Sequence, residues 1–137
     1  MPTVAAVLLR VKSLDIEKEA LVAISNTARE YLDLNREQLM HGTRADGSKM
    51  PNYSRASVEV YGKPAGPIRL YDTGAFQSSF KLDVDSAGLH VVAEDKYGLA
   101  EKYSDEIYGL GKSQQQHYNQ EVFLPKLMES VHHATGL

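Results

Sequence analysis

The sequence predicts an α+β fold: a long N-terminal helix packed on a small antiparallel sheet, with a C-terminal helix. Three observations predict it. Ile16, Ala20, Ala23, Ile24, Thr27, Ala28, Tyr31, Leu34 and Gln38 recur at three- and four-residue spacing, one face of an amphipathic helix. Phe80, Leu82 and Val84 alternate with Lys81, Asp83 and Asp85, and after Asp85-Ser86-Ala87-Gly88 Leu89, Val91 and Ala93 alternate with His90, Val92 and Glu94, the pattern of a hairpin with one apolar face. The segment FLPKLMESVHHATG has a proline near its start and a glycine near its end, as a helix does.

With 137 residues, 42% apolar and 24% charged, the chain is expected to form a single domain over 1–137 with a core that needs no metal or disulfide. There is no cysteine, which excludes disulfides, thiol nucleophiles and thiolate metal sites and fits an intracellular or capsid-associated protein. The run VAAVLL is too short to span a bilayer, and Arg10 and Lys12 follow it instead of preceding it, so neither membrane nor signal peptide is expected. A net charge of −3 with scattered bases disfavours nucleic acid as the main partner, because phosphate binding draws its affinity from a basic surplus. A neighbouring protein is the expected partner.

In chain order, Val4–Leu14 is apolar and leaves a first short helix or an extended arm open. Ser13 with Glu17 approximates a capping signal, and Asp15, Glu17 and Glu19 place negative charge at the start of the long helix. That helix is expected to end near Met40, with Gly42 as its stop. Glycines and prolines punctuate residues 42–67, which read as a loop with a short helix or strand at Ser54–Tyr61, and the loop is a candidate contact surface. Asp72-Thr73-Gly74 is a structural turn in which Asp72 is expected to cap a short helical turn, Thr73–Gln77. The hairpin Lys81–Glu94 follows, then a short segment Tyr97–Tyr103. Residues 104–119 read as a second loop, and the terminal helix is expected to bury Leu124, Leu127, Met128 and Val131 and to stop at Gly136.

The chemistry-bearing groups each have a plainer role as well. Asp83 or Asp85 with Glu94-Asp95-Lys96 imitates the D…ExK set of metal-dependent nucleases, in which carboxylates hold a divalent cation and a lysine orients water. This small nuclease is the alternative reading. Solvated charges at the mouth of a hairpin explain the same residues, and an acidic chain offers no basic groove for DNA. Adjacent His132 and His133 point about 100° apart on a helix and do not share an ion as an i, i+4 pair does. Asp72-Thr73-Gly74 matches the aspartic-protease triplet, but that chemistry needs two such aspartates, and the flanking Arg69 and Tyr71 depart from the apolar setting of those enzymes. No cofactor, metal or catalytic residue is expected. Tyrosines at 53, 61, 71, 97, 103, 108 and 118 lie in or beside loops and element ends, where they serve interfaces or seal a small core.

Taken in order, Asp46-Gly47, Leu70-Tyr71-Asp72-Thr73-Gly74 with Ser78-Ser79-Phe80, Tyr97-Gly98-Leu99-Ala100-Glu101 and Val122-Phe123-Leu124-Pro125 carry a resemblance. From about residue 15 the chain resembles the tail-completion and virion-morphogenesis proteins of tailed bacteriophages, of the head–tail connector or tail-terminator type. The resemblance implies a non-enzymatic virion protein at the phage neck or tail end, present in the host cytoplasm during assembly. It implies a homo-oligomeric ring, a hexamer or dodecamer, joining tail to head. Its partners would be further copies of itself, portal or adaptor proteins and tail proteins, with DNA only passing through the lumen. The assembly-interface candidates are Tyr53, Tyr61, Tyr97, Glu101, Tyr103, Tyr108 and Phe123.

Overall fold

In the computed structural model, which describes residues 3–13, 15–85 and 88–136, helices α1 (Val4–Ser13), α2 (Ile16–Asn26), α3 (Ala28–Met40), α4 (Arg55–Glu59) and α5 (Ala75–Ser78) precede a hairpin of β1 (Lys81–Asp85) and β2 (Gly88–Val92). Helix α6 (Leu99–Tyr103), a 3-10 turn at Asp105–Ile107, α7 (Lys112–His117), a π-helical segment Tyr118–Phe123 and α8 (Leu124–Thr135) complete the chain. The mixture of helices with one small antiparallel sheet and a C-terminal helix is α+β. The chain divides into two units, residues 1–30 with 116–137, and residues 31–115. Among the described residues, no helix is long and apolar enough to cross a membrane.

The first unit is helical. Asp15, not Ser13, caps α2: its Oδ1 accepts the Lys18 backbone N–H at 3.1 Å, with Glu17 and Glu19 in the first turn favouring the helix dipole. The long helix expected from Ile16 to Met40 is instead two shorter ones, separated at Thr27, whose φ/ψ of −116°/12° leaves the helical region. The cause is the threonine hydroxyl. It donates to the Ala23 carbonyl four residues back at 2.7 Å, back-bonding that bends helices, and it meets the Tyr118 hydroxyl at 2.8 Å. Burial pushes the Tyr118 phenol above its ordinary range, and the Thr27 hydrogen bond acts against that rise.

Helix α8 packs on α1 and α2. Arg10 Nη1 donates to the Thr135 carbonyl at 3.2 Å, Ser130 Oγ bonds Glu19 Oε2, and Gly136 ends the helix in a left-handed conformation. Residues 112–119, expected as loop, are helical. The i→i+5 register of Tyr118–Phe123 leads directly to Pro125, whose ring offers no N–H to an i→i+4 ladder, so the change of register lies where the ladder would be broken. Leu124 and Met128, expected on the buried side of α8, are exposed, and Thr135 is the residue that helix buries fully.

The second unit is built on α3, whose Tyr31, Leu32 and Leu39 are buried. Two buried amides on the same helix hold the distant loop at 107–111. Asn35 Nδ2 donates to the Ile107 carbonyl at 3.0 Å and its Oδ1 accepts the Gly109 N–H at 2.9 Å; Gln38 Nε2 donates to the Gly109 carbonyl at 3.0 Å and its Oε1 accepts the Gly111 N–H at 2.7 Å. Irregular backbone next to a helix needs such partners, since its own groups find none in secondary structure.

Residues 42–67 form a tied-down excursion. Pro67 lies directly over Gly42 (φ +71°), where a Cβ would stand 2.2 Å from Pro67 Cβ, so only glycine fits. Met50 is buried, its N–H bonding the Gly42 carbonyl at 2.8 Å, and Arg44 spans to the Ser48 hydroxyl and the Lys49 and Tyr103 carbonyls. Ser54 caps α4.

The hairpin has the expected alternation. Leu82 faces Val91 and Val84 faces Leu89, placing the apolar side chains on one face. Ser86 and Ala87 of the expected turn lie outside the described residues. Phe80, leading into β1, forms an aromatic cluster with Phe76 at 5.2 Å and Tyr108 at 5.9 Å between ring centroids. Arg36 of α3 lies over the Phe80 ring at 5.8 Å and donates to the Gln77 carbonyl at 2.8 Å, joining the helix to the segment that enters the hairpin.

Candidate functional site

A groove of about 390 Å³ opens in the unit of residues 31–115. The turn at 70–74 forms one side. Leu70, buried, takes a positive φ of 53°, an uncommon conformation for a branched-chain residue that the surrounding packing must hold. Gly74 (φ +85°) lets the Tyr71 ring fold down: a Cβ at 74 would stand 3.0–3.1 Å from the ring and its hydroxyl. Asp72 does not cap α5. The Thr73 hydroxyl accepts the Ala75 N–H at 3.3 Å, while Asp72 Oδ1 pairs with Lys63 Nζ at 2.6 Å. That hydrogen bond holds the Lys63 ammonium above its ordinary pKa.

The opposite side comes from the segment after the hairpin. Asp95 accepts the Leu99 and Ala100 N–H groups at 2.7 and 3.0 Å, capping α6. This local closure sets Leu99 and Tyr103 into the groove and leaves Tyr97, 86% exposed, at its edge. The lining is largely apolar and aromatic, from Ile68, Leu70, Phe76 and Leu99 with Tyr53 and Tyr103. The rim is charged, with the Lys63–Asp72 pair, Glu94 and Lys96. Apolar linings bounded by a few polar groups suit protein and peptide contacts, and tyrosine provides area at small entropic cost.

The fold brings together six of the expected site residues: Asp72, Thr73, Gly74, Tyr53, Tyr97 and Tyr103. Tyr61 and Glu101 are exposed outside the groove lining. Tyr108 sits half-buried in the Phe76–Phe80 cluster, where burial raises its phenol pKa, with Asp95 and Asp105 adding to the rise. Phe123 belongs to the helical unit and stacks on Tyr118 at 6.2 Å. Reasoning from sequence missed Lys63, Ile68, Leu70 and Leu99 as site residues; for two of them the signal was the apolar Ile68 and Leu70 at two-residue spacing around Arg69.

The nuclease set is not assembled. Asp83 stands opposite His90 and Asp85 opposite Gly88, while Glu94 lies beyond the paired strands with its N–H bonded to the Ser79 hydroxyl at 2.9 Å. Asp85 Oδ1 contacts His90 Nε2 at 3.0 Å, and Asp95 is the cap of α6. Among the described residues, no group of three or more His, Asp or Glu is placed to hold a metal ion. No family model matches the chain, and neither the curated proteins nor the solved structures contain a match to it.

Proposed function

We infer that this chain is a structural component of a tailed-phage virion, of the tail-completion or head–tail connector type, acting as a ring at the neck or tail end. The observation that carries the reading is the groove. It gathers Asp72-Thr73-Gly74 and Tyr97, which belong to the motifs of the resemblance, around an apolar, tyrosine-rich lining suited to a protein segment. In this reading the groove receives a neighbouring neck or tail protein, with Tyr97 as the exposed anchor. A ring repeats each docking site, so a weak single contact becomes firm attachment through multivalency.

The test is complementation of a phage or prophage lacking this gene. The natural chain restores joined particles, and Tyr97→Ala leaves filled heads and free tails in electron micrographs. Full joining by Tyr97→Ala together with Tyr71→Ala would remove the groove from the account.

A further inference from the structure

The groove in residues 31–115 is rich in free hydrogen-bond donors. Tyr53, Tyr71, Tyr97 and Tyr103 all line it. Among the described residues, the hydroxyls of Tyr71, Tyr97 and Tyr103 have no hydrogen-bond partner, and the charged ends of Glu94 and Lys96 have neither hydrogen bond nor ion pair. The Tyr53 hydroxyl accepts the Arg69 N–H at 3.3 Å and keeps its own proton to donate. Lys63 and Asp72 are paired with each other at 2.6 Å. Each of these hydroxyl protons, and the Lys96 ammonium, needs an acceptor once a partner displaces water from the groove.

The backbone along the groove is already engaged. The N–H groups of Lys63 and Ile68 bond the Ser57 and Pro51 carbonyls, and those of Ala75, Glu94 and Leu99 bond Thr73 Oγ1, Ser79 Oγ and Asp95 Oδ1. A strand that docks by backbone pairing finds these positions occupied. An α-helix uses its carbonyls internally and would bury the groove's hydroxyls without acceptors. A proline-rich segment has the opposite character: it is extended, makes no internal hydrogen bonds, and carries carbonyls without the matching N–H groups. Aromatic-lined grooves take such segments, whose conformation is set before binding. Across the lining, Lys63 and Lys96 balance Asp72 and Glu94, so a strongly charged partner gains nothing here. We propose that the groove binds an uncharged, proline-rich segment of the neighbouring protein, its carbonyls accepting from the tyrosine hydroxyls and Lys96. The inference rests on the docking reading of the groove and gives the chemistry of what docks.

Fluorescence anisotropy of the full chain with fluorescein-tagged decaproline tests it, beside a helical alanine-rich peptide and an extended valine–threonine peptide of equal length. Decaproline binds, and the other two bind roughly tenfold more weakly or worse, lacking the free carbonyls. Tyr71→Phe and Tyr103→Phe keep the ring and remove the hydroxyl. Each weakens decaproline binding roughly two- to tenfold, the effect of one hydrogen bond. Tyr61→Phe, outside the groove lining, leaves binding unchanged. Decaproline bearing a terminal benzophenone cross-links to the groove lining of the natural chain, a readout that needs no variant to fold.

Equal binding of the three peptides, phenylalanine variants that bind like the natural chain, or cross-links confined to residues 1–30 and 116–137 overturn the proposal. Absence of decaproline binding, with Tyr97→Ala still blocking head–tail joining, overturns it and keeps the neck reading. Decaproline binding that the phenylalanine variants weaken, with full joining by Tyr97→Ala together with Tyr71→Ala, upholds it and removes the groove from the virion contact.

Discussion

Replacing Asn35 by alanine removes one side chain and leaves two backbone groups without partners. Asn35 is fully buried, its amide serving the Ile107 carbonyl at 3.0 Å and the Gly109 N–H at 2.9 Å. Each buried group stripped of its partner costs about 1–3 kcal/mol. Alanine returns roughly 0.5 kcal/mol through its higher helix propensity. The expected net loss is about 1.5–5.5 kcal/mol, a large share of the roughly 5–15 kcal/mol of a domain's stability. Urea denaturation followed by circular dichroism reads it as a lower midpoint at unchanged slope. Asn35→Asp keeps the acceptor for Gly109 but sets a carboxylate against the Ile107 carbonyl, so it should be no milder. A loss below about 0.5 kcal/mol for Asn35→Ala, within the range of an ordinary surface change, would refute the claim that this amide holds the loop at 104–111.

Other outcomes follow from the same geometry. Gly74→Ala meets both a left-handed φ and the Tyr71 ring, and should lower stability by about 1–2 kcal/mol, seen as a depressed melting temperature. Tyr118 is held neutral by burial, its folded pKa raised above the unfolded value. Its contribution is therefore complete below about pH 10 and declines as pH rises through the folded pKa. Urea midpoints should fall as the pH rises above about 10, and fall less in Tyr118→Phe. Tyr97→Ala, at a position 86% exposed, should change stability by less than about 0.5 kcal/mol while abolishing head–tail joining.

Regular alternation made the hairpin readable: Leu82, Val84, Leu89 and Val91 announce their shared face because strand side chains repeat every second residue. The helical character of Ile16–Met40 was equally plain from its spacing. Its interruption at Thr27 was not, since the hydroxyl's second partner, Tyr118, is remote in sequence. Leu124 and Met128 show the limit of periodicity, which finds an apolar stripe without saying whether the same chain covers it. The polarity of residues 112–119 suggests a loop, but Gln114, Gln115 and Gln116 are good helix formers and lie in α7. At the groove, tyrosines beside turns were visible in advance. Lys63 at the Asp72 carboxylate was not, because nothing local distinguishes that lysine from a solvated one.

Gold-labelled antibody against this chain, applied to purified particles in the electron microscope, addresses the structural role most directly. Label is expected at the junction of head and tail, in several copies per particle. Particles that join normally and carry no label would contradict it.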